Sequence, residues 1–554
     1  MNRTSGEGEL AGTAPSHDQD QDQDHHDRTP SSPSSLCGRS RELTDAAADI
    51  SFGALLDADI DIESGADTGT GTNTDTDTDT DTDTDTGNRT DTTTHCHYKT
   101  RIQWATPGGL EIVGRGVAAQ FTTTGPTRFD DVREQAARTF GALEYDGPAV
   151  ARPRAFGGLS FHDSFEDAFE RAGETNADTA AATAPWRGFT AASFVIPQVL
   201  VVRDDETTWL TAVGPDADTA TERLDEWHDR LADASFPAMR SSGSPPGVTD
   251  TERTTSRAAW VEQVEDAIER IETTTLRKVV LAQSLSVGLA DEIDVPATLE
   301  RLRRRYPNCY RFLIDHNHAR SSDGGGTFFG APPERLVSKR GERVETEALA
   351  GSAPRGETPE ADEEFADQLR DSEKVQHEHV LVAEAIRDQL TPVTSSLTID
   401  EQQIRRLATI QHVRTPIEAT LDDEVTHVLE LVEALHPTPA VGGMPPDEAW
   451  ETIRETEPFD RGWYAAPIGW FDGNGDGEFA VALRSGVATD ERVTLFAGSG
   501  LVADSDPHDE WDEVQLKFRP ILDELRPEEA STAQSERGSD QSATETDEER
   551  PQPR

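Results

Sequence analysis

The chain has 554 residues, 107 Asp and Glu against 51 Lys and Arg, and a formal net charge of −56. Such a charge repels nucleic acid and anionic membrane surfaces, which excludes both as partners. Three scattered cysteines (Cys37, Cys96, Cys309) exclude a disulfide framework or a zinc site built on cysteine. An acidic, lysine-poor composition resembles a halophile's protein: in molar salt the Debye length is only about 3 Å and self-repulsion is screened.

The N-terminus, from Met1 to Glu7, has no apolar core of a secretory signal, and a reducing cytoplasmic setting is expected. Residues 1–97 are acidic and low in complexity, with an Asp-Gln run from Asp18 to Asp24 and an Asp-Thr run from Thr74 to Thr86. They carry too little apolar surface to offset the entropy of ordering, so the whole segment is expected to be disordered, as is 528–554. Between them, 98–527 is read as α/β (α+β), sheets wrapped by helices and not a doubly wound fold, because strict alternation of strands and helices is missing; its length is compatible with one large domain. Strand-like runs come first: Gly109 to Phe121, Phe194 to Val202 and Thr208 to Val213. The longest apolar stretch, Ala191 to Val202, is broken by Ser, Pro and Gln and falls short of the roughly 20 residues a membrane helix needs. Ala258 to Thr273 then shows helical spacing, with Trp260, Val264, Ile268 and Ile271 on one stripe. Further strands are read at Tyr310 to Ile314, Arg343 to Ala348, Ile468 to Trp470, Phe479 to Arg484 and Val493 to Ala497. Helices are read over 361–371, 374–390, 426–435, 446–454 and 507–525.

Lysine is scarce: five of the 51 cations are lysines, namely Lys99, Lys278, Lys339, Lys374 and Lys517. Lys278 lies in an apolar strand, Leu276 to Leu281. An ammonium can lose its proton in such a place and a guanidinium cannot, so Lys278 is either a candidate base or a lysine snorkelling from a strand end. In the last helix Ser505-Asp506-Pro507 is a start signal, and Glu510, Glu513 and Lys517 share a face. Ser372 to His379 opens another helix; His377 and His379 are two apart and diverge, which argues against zinc. Glu378 is instead an oxygen ligand, and with Glu513 it would suit Mg²⁺. Asp472 to Gly477 matches half of a calcium loop but lacks the closing Glu, so a hairpin turn is expected. Ala497 to Gly500 and Leu349 to Gly356 are glycine-containing runs that either turn the chain or offer N–H groups to an anion.

Taken in order, these segments resemble the chorismate-utilising enzymes, and within them the isochorismate synthase branch. The likeness runs through Lys278 to Gln283, Phe329 to Val337, Ala348 to Ala353, Ser372 to His379, Gln411-His412 and Leu435 to Gly443. It continues through Arg461 to Tyr464 with Pro467 to Trp470, Ala482 to Arg484, Phe496 to Val502 and Glu510 to Lys517, and less sharply at Phe156 to Gly158 and Trp186 to Phe189. The resemblance implies stacked β-sheets at the core, helices outside and a deep substrate cleft. It implies Lys278 as the base that activates water, with a lowered proton affinity, and Glu334 as the acid that protonates the leaving hydroxyl. It implies Mg²⁺ on Glu378 and Glu513 with Glu510 nearby. It places the substrate, chorismate, on Gly351, Ser352, His436, Tyr464, Arg484, Gly498, Gly500 and Lys517. Aminating relatives carry an amide where Lys278 stands, or a nucleophilic lysine where Ala350 stands, so water is the expected nucleophile. Ser352 replaces the commoner threonine, and Gln283 replaces a basic residue of some relatives. Salicylate synthase, which goes on to eliminate pyruvate, shares the same residues and is the alternative. A monomer or homodimer feeding menaquinone synthesis is expected. A contrasting reading, a non-catalytic protein whose acidic tail recruits partners, leaves these acids and bases unexplained.

Overall fold

Two of the long apolar runs do not form single strands. Gly116, with φ +71°, interrupts the first, giving Glu111–Arg115 and Ala119–Thr123. Pro197 lies in the gap of the second, giving Ala192–Ile196 and Val199–Arg203. In both cases the two pieces belong to different sheets, so the break is where the chain changes sheet. The computed structural model describes residues 35–44, 52–57, 100–164, 185–204, 206–232, 243–315, 325–407, 410–423, 425–489 and 491–527.

Among these residues there is one 13-stranded and one 10-stranded sheet. The middle of the larger sheet runs from Lys278–Leu289 through Arg492–Leu501, Ser485–Ala488 and Thr327–Gly330 to Arg311–Asp315. The smaller sheet contains Ile410–Leu421, Arg343–Pro354, Arg335–Arg340, Gly477–Val481 and Pro467–Asp472 as successive neighbours. Pairing is antiparallel throughout except where Leu36–Leu43 runs parallel to Leu143–Asp146. One apolar core unites residues of both sheets; Trp186, Phe328 and Trp463 pack edge to face within it. Helices Arg257–Thr273, Glu373–Leu390 and Pro507–Leu522 pack against the sheets or one another, in agreement with the expected mixed α/β architecture. Ser256, Ser372 and Asp506 cap their first turns, each accepting a backbone N–H.

The expectation that all of 1–97 is disordered is corrected in part. Leu36–Leu43 is a strand inserted between Thr208–Gly214 and Leu143–Asp146. Phe52–Asp57 is a short helix whose Phe52, Leu55 and Leu56 share a second apolar cluster with Val113, Val201 and Trp227. The strand's sequence, LCGRSREL, has little apolar alternation. Its order comes from backbone pairing on both edges, which composition does not report. The Asp-Gln and Asp-Thr runs and the segment 528–554 lie outside the described residues. The Gly-rich turn is as expected: Asp472–Gly477 joins two antiparallel strands. No described helix is long and apolar enough to cross a membrane.

Candidate active site

The site forms where the chain crosses twice between the sheets. Ala331-Pro332-Pro333-Glu334 leads from Thr327–Gly330 in the larger sheet to Arg335–Arg340 in the smaller. Ala482-Leu483-Arg484 leads back from Gly477–Val481 to Ser485–Ala488. The crossings are tied together: Ala331 N–H donates to the Arg484 carbonyl at 3.0 Å, and Val481 N–H to the Glu334 carbonyl at 3.2 Å. Arg484 has φ +49°, a conformation that costs a non-glycine residue about 1–2 kcal/mol and that points to over-determination by its surroundings.

These crossings open onto a cavity of about 220 Å³. Lys278, Glu334, Gly351, Ser352, Tyr464, Arg484, Gly498, Gly500 and Lys517 all line it, as do Glu378, Glu510 and Glu513. His436 is not among the lining residues. It is half-buried, its Nε2 lies 3.2 Å from the Phe161 carbonyl, and desolvation holds its proton affinity down at about 3. The motif that holds it reaches the cleft through Ala440 and Val441 instead. The structure therefore does not bring His436 together with the other expected site residues on the cavity lining.

Lys278 is 1% exposed, and its Nζ donates to Glu378 Oε1 at 2.7 Å. Gly500 permits this pair: a Cβ there would stand 3.0 Å from Lys278 Cε and 3.2 Å from Glu378 Oε1. Gly351, with φ +73°, sits in a bulge between Ala350 and Ser352, and a Cβ on it would meet Val375 at 2.4 Å. A glycine is required there by both backbone and space. Lys517 Nζ bonds Glu513 Oε1 at 2.7 Å and the Gly498 carbonyl at 2.9 Å. Glu510 accepts from the hydroxyls of Ser499 and Ser505, so direct ligation of a metal would compete with both.

Two groups are left with charge chemistry to do. Glu334 is 4% exposed and lines the cavity. Burial, then the nearby Glu347, push it up to about 8. Arg484 is buried without a carboxylate partner among the described residues; its contacts are Cys309 Sγ at 3.8 Å and His412 Nε2 at 3.3 Å. Burial lowers its proton affinity, as expected for a guanidinium whose anion must come from outside.

His412 is a lining residue that sequence reasoning did not assign, although the Gln411-His412 motif contains it. Its Nδ1 lies 3.1 Å from both the Gly351 carbonyl and Ser352 Oγ. Burial, then Arg484 and Lys517, push it well below the usual imidazole range, so it is neutral. The network places the proton on Nδ1 and leaves Nε2 to accept from Arg484. Arg461 also lines the cavity; it donates to the Val280 carbonyl at 2.7 Å and is paired with Glu457, which accepts from Ala282 N–H at 2.8 Å. It thus fixes the strand that carries Lys278. His377 is exposed and His379 buried, as their divergence predicts.

No cluster of three or more His, Cys, Asp or Glu in metal-holding geometry occurs among the described residues. The donors that do face the cavity, Glu378 and Glu513, are carboxylate oxygens, a chemistry that fits a hard divalent ion held by one or two carboxylates and water.

A chorismate binding enzyme family model matches residues 83–526. The salicylate biosynthesis isochorismate synthase of Pseudomonas aeruginosa is 36% identical over 432 residues, covering 76% of this chain and 84% of that protein. Isochorismate synthase MenF of Bacillus subtilis is 33% identical over 440 residues, covering 77% and 88%. The solved structure of MenF, the menaquinone-specific isochorismate synthase from Escherichia coli, is similar with a TM-score of 0.62 at 26% identity, over 77% of this chain and 89% of that one. With a family match over residues 83–526 and a 36% identical relative covered over 84% of its length, this protein belongs to the chorismate binding enzyme family.

Proposed function

We propose that the protein is an isochorismate synthase that converts chorismate to isochorismate. The observation that carries this reading is the pairing, in one cavity, of a buried carboxyl held in its protonated form with a lysine on the same lining. Lys278 takes a proton from water as the water oxygen bonds to C2 of the ring. The ring double bonds shift, and the C4 hydroxyl leaves as water with the proton of Glu334. One water enters and one departs, so the product is an isomer. A base and an acid of this kind each contribute about 10²–10⁴-fold. Arg484, supported by His412, receives a substrate carboxylate, with Tyr464 and the Gly498 and Gly500 backbone beside it; Gly351 and Ser352 close the polar shell.

Mg²⁺ fits Glu378 and Glu513, with Glu510 behind them, and when bound it would neutralise the second carboxylate of the substrate. Glu378 would then exchange its lysine partner for the ion. The relatives named as isochorismate synthases support the reaction, and among them the menaquinone-specific structure supports a biosynthetic role of that kind.

Chromatography of the product from chorismate, Mg²⁺ and the full chain in high salt at neutral pH tests the reading. Isochorismate is expected. Salicylate with pyruvate would replace it by the salicylate synthase reading, and an aminated product formed only with ammonia would replace it by an aminating one.

A further inference from the structure

Behind Glu334, outside the lining of the cavity, stands a second buried carboxylate. Glu347, on the Arg343–Pro354 strand, is 4% exposed. It accepts from Arg405 Nη1 at 2.7 Å and from Arg414 Nε, which come from two other strands of the same sheet. It also accepts, at 3.2 Å, the backbone N–H of Arg335, the peptide that joins directly to Glu334. The Arg335 side chain goes elsewhere, to Tyr310 and Glu345, so this peptide bond is the link between the two glutamates. Arg405 is itself anchored on the Asn308 carbonyl at 2.8 Å, one residue before Cys309, the thiol that Arg484 touches.

Resting on the isochorismate synthase reading, we propose that Glu347 is a positioning residue for the acid. Clamped by Arg405 and Arg414, it fixes the Glu334–Arg335 peptide at the sheet crossing and sets a permanent negative charge behind Glu334. Burial alone would raise Glu347, but Arg405 and Arg414 outweigh it and hold the group below the usual carboxylate range, so its charge persists. That charge is second only to burial in keeping Glu334 protonated, against Lys278, Arg405 and Lys517, which favour its ionised form. The Arg484–His412 pair also faces the cavity and is already accounted for, with the histidine neutral.

The test compares kcat against pH for the full chain, Glu347→Gln and Arg414→Gln, with chorismate and Mg²⁺. Loss of the Glu347 charge makes Glu334 a stronger acid, so the alkaline limb of kcat moves to lower pH by about one unit or more, with KM little changed. Arg414→Gln leaves the Glu347 charge less neutralised and moves the limb to higher pH. Opposite shifts cannot come from loosened packing, which lowers kcat in both variants without moving the limb. Limbs that stay in place, or move together, in folded variants overturn the proposal. Where Glu347→Gln does not fold, Arg414→Gln decides alone, and an unmoved limb is again fatal. A wild-type chain that does not turn over chorismate refutes the functional reading instead. The proton on Glu334 is then followed by urea unfolding, as the pH at which the stability gained by Glu334→Gln stops rising and levels off. Adding Glu347→Gln must lower that pH, and an unchanged value overturns the proposal independently of activity.

Discussion

Lys278 and Lys339 are both buried, with side-chain exposures of 2% and 1%, and both hold a carboxylate, Glu378 at 2.7 Å and Asp476 at 2.9 Å. What surrounds the two pairs differs. Asp476 lies in the Gly-rich turn, where its Oδ1 also takes the Gly341 N–H at 2.8 Å while Asp472 accepts the N–H groups of Asn474 and Asp476. There the ammonium is held by Asp476, and backbone amides and Arg152 take up the oxygens of Asp472. Lys278 and Glu378 instead face a cavity shared with Glu334, whose proton is held by burial, and with Arg484, which has no carboxylate partner among the described residues. Burial of a lysine is therefore not by itself a sign of chemistry; an unfinished set of charges around it is.

The largest effect expected from breaking this comparison is at Lys278. Lys278→Arg keeps the charge and removes the ability to act as a base, so turnover should fall by about 10²–10⁴-fold with the fold intact by circular dichroism. Chorismate consumption near the wild-type rate would end the general-base assignment, and Lys278 would become a second Lys339.

Next comes Glu334→Gln, read through stability. The folded carboxyl is raised from 4.5 to about 8, so the folded state holds this proton more tightly than the unfolded chain. That contribution is complete below pH 4.5 and is lost as the pH rises through 8. Glutamine cannot ionise, so the variant should gain on the wild type between pH 5 and 9, by on the order of a few kcal/mol in urea unfolding. A constant difference across that range would show that Glu334 is ionised throughout.

Lys339→Met should leave kcat unchanged and cost about 2 kcal/mol in the same assay, because Asp476 loses its cation but keeps backbone donors. A loss of turnover there would erase the distinction between the two lysines.

Scarcity in the sequence flagged both lysines but assigned only one, and that asymmetry is informative. The cleft is legible because its residues sit in compact local motifs: Lys278, Glu334, Arg484 and the Glu510–Lys517 face all line one cavity. A motif gives residue types, not side-chain directions. His436 stands apart for that reason, since its ring turns to Phe161 while Ala440 and Val441, further along the same motif, line the cleft. His412 is hard to assign from its motif, because its importance lies in linking Gly351 and Ser352 to Arg484, which is far from them in sequence. The Leu36–Leu43 strand was invisible because it is held by pairing partners more than a hundred residues away.

The smallest effects lie at one glycine beside each lysine, and they separate geometry from backbone strain. Gly500→Ala adds a methyl in contact with both members of the Lys278–Glu378 pair, at 3.0 and 3.2 Å. The strand conformation tolerates alanine, so the pair must shift by tenths of an ångström, and kcat should fall about tenfold with little change in stability. Gly341→Ala is the reverse case. Its φ is +58° and nothing lies within 4 Å of the new methyl, so the only cost is left-handed backbone. That is worth about 1 kcal/mol, measured as a shift in urea midpoint, with kcat unaltered. Exchanged outcomes, activity lost at Gly341 and only stability lost at Gly500, would mean that the turn and not the cleft carries the chemistry.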